Sequence, residues 1–324
     1  MVIQSNHVAL EIKNKIKFEG FYYWFVIGLI IMLASRISVS PASPSQSNSD
    51  LLKEEVPAMS VAEGKKIYSE TVAQVLPVAG LKTNLVIGDM ILRLVAAGVI
   101  DQNKFRELYT QRDMSETDIV RLLTQPLQGP LIITQANANL WLNVFWAVGL
   151  ANKTEFNKTS PLNGKELNDF ASTGGWTLGK EDSGGVYFNQ HEIIKLTLGQ
   201  EKIVLDIAQN TYRPCCDNST FFQDCNHGSA LLGVLELGAA SGLTSADLYK
   251  LALDFNSFWF PDQYLQTALY FKLFQHQDWE EVNPQIVMNK DYSSASGWSK
   301  NISAEIAKIP NLLPSAQDNQ SCGV

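Results

Sequence analysis

The run SALLGVLELGAA at residues 229–240 is almost wholly apolar, and a single glutamate is its only charged residue. A helix that is apolar on all sides is expected in the interior of a protein. We therefore predict that this run is the central buried helix. Glu236 follows His227 by nine residues, about half a turn out of phase at roughly 100° per residue, so the two side chains should face opposite ways. Glu236 is predicted to be a paired core carboxylate or an interdomain contact.

Helix starts recur on both sides of this run. Ser60 with Glu63, and Thr197 with Gln200, have the spacing of capping boxes, in which each side chain bonds the backbone N–H of the other residue. Residues with helical spacing follow each start. Only residues 130–134, PLIIT, favour a strand, and the signal is weak. These patterns predict a mainly α protein.

The helical segments fall into two blocks. Residues 58–150 are predicted to form an N-terminal helical subdomain, and residues 191–324 a C-terminal one that carries a Cys/His loop. Residues 151–190 are polar and rich in glycine, which is typical of a long loop or an interdomain connection. The predicted fold class is mainly α, a helical-hairpin array in two subdomains behind an N-terminal membrane anchor.

The anchor is predicted from an uncharged segment near the N-terminus. Residues 21–34 read FYYWFVIGLIIMLA, and the aromatic residues at their start are typical of a membrane interface. We expect a cytoplasmic tail at 1–20, a transmembrane anchor at 21–36 and a Ser/Pro-rich stalk at 37–57. A cleaved secretory signal is the alternative, because residues 40–42 (SPA) offer a small-x-small site. A buried core helix is a third interpretation.

Flanking charge predicts the orientation of this segment. Lys13, Lys15 and Lys17 precede it, whereas no basic residue lies between Arg36 and Lys53. Since the more basic flank stays in the cytoplasm, we expect a single-pass protein of the cell membrane with most of its chain extracytoplasmic. The whole chain has a formal net charge of −8, and the part after the anchor carries about −10. This acidity disfavours nucleic acid and anionic lipid surfaces as partners, so the membrane is contacted through the anchor.

A cysteine-rich loop is the most informative chemical feature of the sequence. Three of the four cysteines and one of the four histidines lie within 13 residues: Cys215, Cys216, Cys225 and His227. Three thiolates and an imidazole suit Zn²⁺, and thiolate-rich sets also suit Cu(I). We therefore predict a metal site of these four residues between two helices. Adjacent cysteines are strained as ligands of one ion, so Cys215 or Cys216 is expected to diverge, with Cys216 or Cys322 as the variable fourth ligand.

Two other interpretations of this loop stay open. Cys225 precedes a helix start, where free N–H groups lower a thiol pKa, and His227 is placed to act as its base. The loop would then hold a reactive thiol. A structural disulfide is the other interpretation, because the predicted compartment is oxidising. Cys215 or Cys216 would pair with Cys225, and the remaining one with Cys322.

The sequence supports one function and one alternative. The first is a membrane-tethered extracytoplasmic metal-binding protein, either a metallo-enzyme or a metal-handling protein. The alternative is a non-enzymatic interaction or structural domain whose loop is pinned by a disulfide. Residues 174–180 match the G-x-x-x-x-G-K pattern of phosphate loops, but Glu181 stands where Mg²⁺ requires Ser or Thr. A nucleotide cofactor is therefore not expected.

Overall fold

Helices make up most of residues 59–314, the part of the chain that the computed structural model describes. The mainly α fold class is confirmed for this part. The longer helices are α1 (Val61–Val75), α2 (Met90–Ala96), α3 (Gln102–Thr110), α4 (Glu116–Thr124), α5 (Ala138–Ala151), α6 (Leu198–Asn210), α7 (Asn226–Ala240), α8 (Ser245–Trp259) and α9 (Pro261–Phe274). Shorter helices follow: α10 (Pro284–Val287), α11 (Lys290–Ser293), α12 (Ala295–Trp298) and α13 (Ala304–Ile306), with a π-helical turn at Ser299–Ser303.

The helices begin where their capping residues predict. At the start of α1, the Glu63 N–H donates to Ser60 Oγ at 3.3 Å, and the Ser60 N–H donates to Glu63 Oε2 at 3.2 Å. Thr197 and Gln200 form the same pair of bonds at the start of α6, at 3.3 and 2.8 Å. Each such cap stabilises its helix by about 1 kcal/mol. Both predicted capping boxes are confirmed.

A short antiparallel pair of strands joins two parts of the N-terminal block. β1 (Leu81–Lys82) pairs with β2 (Ile132–Ile133), and Leu81 lies opposite Ile133. The weak strand signal in residues 130–134 is therefore confirmed. Its partner was not predicted, because two residues are too few for an alternating pattern to show.

The apolar run at residues 229–240 forms most of α7, and every residue from 228 to 239 is buried. α5 packs so closely against α7 that the backbones of the two helices approach each other. A Cβ on Gly149 would lie 1.9 Å from the Ser229 carbonyl oxygen, and one on Gly233 would lie 2.4 Å from that of Phe145. Glycine at both positions is what lets the two helices approach so closely. The N-terminal block thus contributes α5 to the burial of α7.

Residues 152–190, which the sequence predicts to be a connection, contain no long helix. They contain three turns of 3₁₀ helix, at Phe156–Thr159, Leu167–Asp169 and Gly184–Tyr187. Trp176 is buried, and its indole N–H donates to the Val99 carbonyl at 2.9 Å. This segment therefore packs against the N-terminal block. The boundaries of the two subdomains stay predictions.

The predicted tail, anchor and stalk at 1–20, 21–36 and 37–57 lie outside the described residues, and so does Cys322. Between residues 59 and 314, no helix has both the length and the apolar character needed to cross a bilayer. The single-pass topology stays a prediction.

Candidate metal centre

The cysteine loop leaves α6 at Asn210 and enters α7 at Asn226, and its base is closed by hydrogen bonds. The Thr220 N–H and hydroxyl both donate to the Thr211 carbonyl, at 2.9 and 3.1 Å. The Phe221 N–H donates to the Ala208 carbonyl at 2.9 Å. These bonds bring the two ends of the loop together. Residues that precede Thr220 in the sequence therefore lie beside residues that follow it.

This closed loop brings the sulfurs of Cys215, Cys216 and Cys225 together. The three Sγ atoms all lie within 4.8 Å of one another, and those of Cys215 and Cys225 are 3.5 Å apart. Tetrahedral bonds of about 2.3 Å to one ion place two sulfurs about 3.7 Å apart. All three cysteines are free thiols, so no disulfide forms among the cysteines of residues 59–314. The expectation that Cys215 or Cys216 diverges is wrong, since both sulfurs join the group.

His227 lies at the edge of the three-sulfur group. Its ring nitrogens are not among the ligand atoms that lie within 4.8 Å of each other, in the part of the chain described. The ring packs on Phe260, with centroids 4.4 Å apart, and more distantly on Trp259 at 6.4 Å. The His227 side chain also lowers the pKa of Cys225, which favours the thiolate form of that cysteine. The role of His227 as a metal ligand stays a prediction.

Arg213 is the main component of the centre that the sequence did not reveal. No part of its side chain is exposed to solvent. The Nε–H donates to Cys225 Sγ at 3.1 Å, and Nη2 donates to Asp224 Oδ1 at 2.6 Å. The remaining donors reach the carbonyls of Asn218 and Phe222, at 3.0 and 3.3 Å. A buried guanidinium is thus paired with a carboxylate and placed beside a sulfur.

Asp224 connects this guanidinium with the rest of the loop. Its Oδ2 accepts from the Asn218 side chain at 2.7 Å, and the Cys216 thiol lies 3.8 Å from its Oδ1. Space for the guanidinium comes from Gly228, where a Cβ would lie 2.5 Å from Nη2 of Arg213. A sequence signal did exist: Arg213 and Asp224 stand close before Cys215 and Cys225, but nothing local indicated that they pair.

The C-terminal turns hold the cysteine loop from the other side. The Ala295 N–H donates to the Cys216 carbonyl at 3.0 Å, and the Ser296 N–H donates to Asp217 Oδ1 at 2.8 Å. The backbone of the end that carries Cys215 and Cys216 is therefore fixed by distant residues. Such a site needs little reorganisation before it binds a ligand.

The electrostatics of the centre concentrate negative charge on one sulfur. Hydrogen bonds from Cys215 and Cys216, then from His227, hold the pKa of Cys225 well below its usual range, with a further contribution from the charge of Arg213. Burial opposes this shift. The Gly228 N–H, at the first turn of α7, also donates to the Cys225 sulfur at 3.4 Å. Cys225 is therefore the thiolate of the group.

The other two sulfurs hold their protons. The pKa of Cys215 is raised by its hydrogen bonds with Cys216 and Cys225 and by burial. The bond with Cys215 lowers the pKa of Cys216, but the bond with Cys225 and burial outweigh it and raise the value to about 11. A cation bound among the sulfurs would displace both protons, because metals bind thiolates and not thiols.

The chain matches no protein-family model, no curated protein and no solved structure. Three sulfurs around one point, beside a buried guanidinium and a helix N-terminus, form a group that could hold a soft metal ion.

Proposed function

We propose that this chain is a membrane-tethered, extracytoplasmic metal-binding protein in which Cys215, Cys216 and Cys225 bind Zn²⁺ or Cu(I). The convergence of the three Sγ atoms within 4.8 Å carries this proposal. Thiolates are the preferred ligands of both ions. A structural disulfide would have paired two of these cysteines, whereas the three are free thiols held around a common point.

Charge supports the proposal. Three thiolates around one ion leave excess negative charge in a half-buried place. The guanidinium of Arg213 contacts Cys225 and partly offsets that charge, and the N-terminus of α7 acts in the same sense. Asp224 keeps the guanidinium in place through the 2.6 Å ion pair. The centre is thus suited to an anionic metal–thiolate complex.

The fourth coordination position separates the two candidate ions. Cu(I) accepts a purely thiolate set, whereas Zn²⁺ takes four ligands in structural sites. His227 is the proposed fourth ligand for Zn²⁺, because its side chain is near enough to Cys225 to lower the pKa of that thiol. Binding would require the ring to leave its contact with Phe260.

The tether is the second half of the proposal. It is supported by the uncharged segment at 21–34 and by the lysines that precede it. In this arrangement the metal centre lies outside the cytoplasm, on a domain held close to the membrane by residues 37–57. The acidity of the exported part disfavours nucleic acid as a partner.

Metal content tests the proposal directly. The full chain is purified in mild detergent without chelator, kept reduced, and its zinc and copper are measured per chain. One equivalent of metal is expected in the wild type, and Cys225→Ser should abolish stoichiometric binding. His191→Asn is the matched control, since it removes a histidine that lies outside the three-sulfur group and should leave metal content unchanged. A wild type that binds neither ion, even when both are supplied, overturns the proposal.

A further inference from the structure

Two sulfurs of the metal centre are in van der Waals contact. Cys215 Sγ and Cys225 Sγ are 3.5 Å apart, and both are free thiols. A disulfide bond measures about 2.05 Å, so a modest movement of one side chain brings the two sulfurs into bonding distance. We propose that Cys215 and Cys225 exchange with an external disulfide to form a reversible bond between them, and that this bond releases the metal.

The two sulfurs differ in ways that assign their roles. Cys215 is exposed as a residue, although its sulfur is partly covered within the group, so an external disulfide reaches Cys215 before it reaches Cys225. Cys225 is half-buried and accepts hydrogen bonds from Arg213 Nε–H at 3.1 Å and from the Gly228 N–H at 3.4 Å. Cys215 is therefore the capturing sulfur and Cys225 the resolving one. Cys216 Sγ also lies in the group, and it is 3.8 Å from the carboxylate of Asp224.

The exchange balances in two steps. Cys215 Sγ attacks one sulfur of the external disulfide, and its proton leaves with the first external group, which departs as a thiol. Cys225 Sγ then attacks the sulfur of Cys215 in the mixed disulfide as a thiolate, and the second external group leaves as a thiolate. One disulfide forms within the chain and one breaks outside it. Two electrons pass from the protein sulfurs to the external disulfide.

Closure of this bond is incompatible with the proposed metal site. Two of the three thiolate ligands become disulfide sulfurs, and a disulfide removes the negative charge that a metal requires. Cys216 would remain as the one free sulfur of the group. The release of metal rests on the proposed function, whereas the exchange itself stands on the geometry of Cys215 and Cys225.

Oxidised glutathione is a suitable probe of the exchange. The full chain carrying Cys322→Ser is reduced, freed of metal with a chelator, and treated with oxidised glutathione in detergent. Peptide mapping should show a Cys215–Cys225 disulfide with the Cys216 thiol free. In the further variant Cys225→Ser, glutathione should stay bound to Cys215, and this mixed disulfide should accumulate about tenfold more than in the parent. Circular dichroism confirms that each variant is folded.

Zinc content then tests the link to the metal. Closure should lower bound zinc about tenfold, and reduction should restore it. A disulfide that involves Cys216, or a parent that accumulates the mixed disulfide as much as Cys225→Ser does, overturns the exchange. Zinc that stays bound after closure overturns the release. A parent that closes normally but binds no zinc when reduced overturns the metal function instead and leaves the exchange standing.

Discussion

Arg213 and Cys225 are joined by a 3.1 Å hydrogen bond from the guanidinium Nε–H to the sulfur, and the arginine side chain is wholly buried. A buried cation is costly unless it is paired. Asp224 supplies the formal counter-charge, and the thiolate of Cys225 supplies a second anion. The buried guanidinium of Arg213 therefore depends on these two anions. A substitution of Arg213 should disturb both the fold and the sulfur group.

Arg213→Lys should destabilise the fold and make Cys225 less acidic. An ammonium group cannot reproduce the planar fork that contacts Cys225, Asp224 and Asn218, so buried acceptors lose their donors. We expect the free energy of unfolding of the reduced, metal-free chain to fall by about 2–3 kcal/mol. Denaturation by urea measures it. Arg93→Lys is the control, because Arg93 pairs with Asp89 at the surface, and it should cost less than about 0.5 kcal/mol.

The same substitution should change how stability depends on pH. The folded pKa of Cys225 is depressed, so its contribution to stability is complete above the unfolded pKa of about 8.5 and is lost as the pH falls through the folded value. Arg213→Lys removes part of that contribution. The difference in stability between wild type and variant should therefore grow as the pH rises from the folded pKa of Cys225 in the wild type to its higher folded pKa in the variant, and should level off above that. A difference that is constant with pH would show that Arg213 acts by packing alone.

Glycine at the contact between α5 and α7 should be essential for the close packing of these two helices. Gly149→Ala places a methyl group 1.9 Å from the Ser229 carbonyl oxygen, so the two helices must separate. We expect a loss of about 3 kcal/mol in the free energy of unfolding. Gly199→Ala is the matched control: Gly199 is exposed in the first turn of α6, with no close neighbour, and it should gain up to about 0.5–1 kcal/mol. Equal effects at the two sites would contradict the close packing.

Ionisation of Glu236 should lower the free energy of unfolding as the pH rises. It is fully buried in α7, and neither carboxylate oxygen has a hydrogen-bond partner. Desolvation raises its pKa well above the usual range, and the nearby Asn152 side chain offsets only a part of this. Because the pKa of Glu236 is raised in the folded state, the contribution of this residue to the free energy of unfolding is complete below the unfolded pKa of about 4.3. That contribution is lost as the pH rises through the folded pKa.

Glu236→Gln should therefore be more stable than the wild type, by an amount that increases with pH above about 4.3. An uncharged amide of the same shape removes the cost of ionising a buried carboxyl. Thermal unfolding from acid to mildly alkaline pH measures the difference. Glu107→Gln, at an exposed position of α3, should show no such increase. A wild-type curve that does not decline relative to Glu236→Gln would mean that water or a cation reaches the carboxylate.

The local features of the fold were predictable, and the contacts between distant residues were not. Ser60 and Thr197 were identified as caps because the capping box is complete within four residues. The apolar run in α7 identified the buried helix for a similar reason. By contrast, Arg213 becomes buried only because Gly228 and Asp224 lie against it. No spacing rule within the sequence contains that information.

The candidate site was also only partly predictable. Clustering in sequence correctly placed Cys215, Cys216 and Cys225 together. The expected divergence of the adjacent cysteines was wrong because closure of the loop at Thr211 and Thr220 turns both toward Cys225. Such a turn depends on hydrogen bonds between residues on either side of the cysteine pair.

The single-pass topology stays a prediction, and reporter fusions test it. A reporter that is active only outside the cytoplasm, fused to the C-terminus of the full chain, should be active. A reporter that works only in the cytoplasm should be silent at the same position. Changing Lys13, Lys15 and Lys17 to Glu removes the basic flank and should reduce export. Activity of the cytoplasmic reporter alone would overturn both the anchor and the signal interpretations of residues 21–36.

His227 should distinguish zinc from copper at the cysteine centre. Its side chain lowers the pKa of Cys225, but its ring lies outside the three-sulfur group, against Phe260. As a fourth ligand it would matter for Zn²⁺ and not for Cu(I), which a thiolate set satisfies. His227→Asn should therefore weaken Zn²⁺ binding by at least about tenfold while changing Cu(I) affinity much less.

Competition with chromophoric chelators, one selective for each ion, measures both affinities on the reduced full chain. The substitution also removes a side chain that favours the Cys225 thiolate. Since that effect weakens the binding of both metals alike, the ratio of the two affinities is the informative quantity. His191→Asn should leave the ratio unchanged, since His191 lies outside the three-sulfur group. Equal losses for Zn²⁺ and Cu(I) in His227→Asn would show that His227 acts on Cys225 and not as a ligand. The zinc site would then consist of the three thiolates with water or another donor at the fourth position.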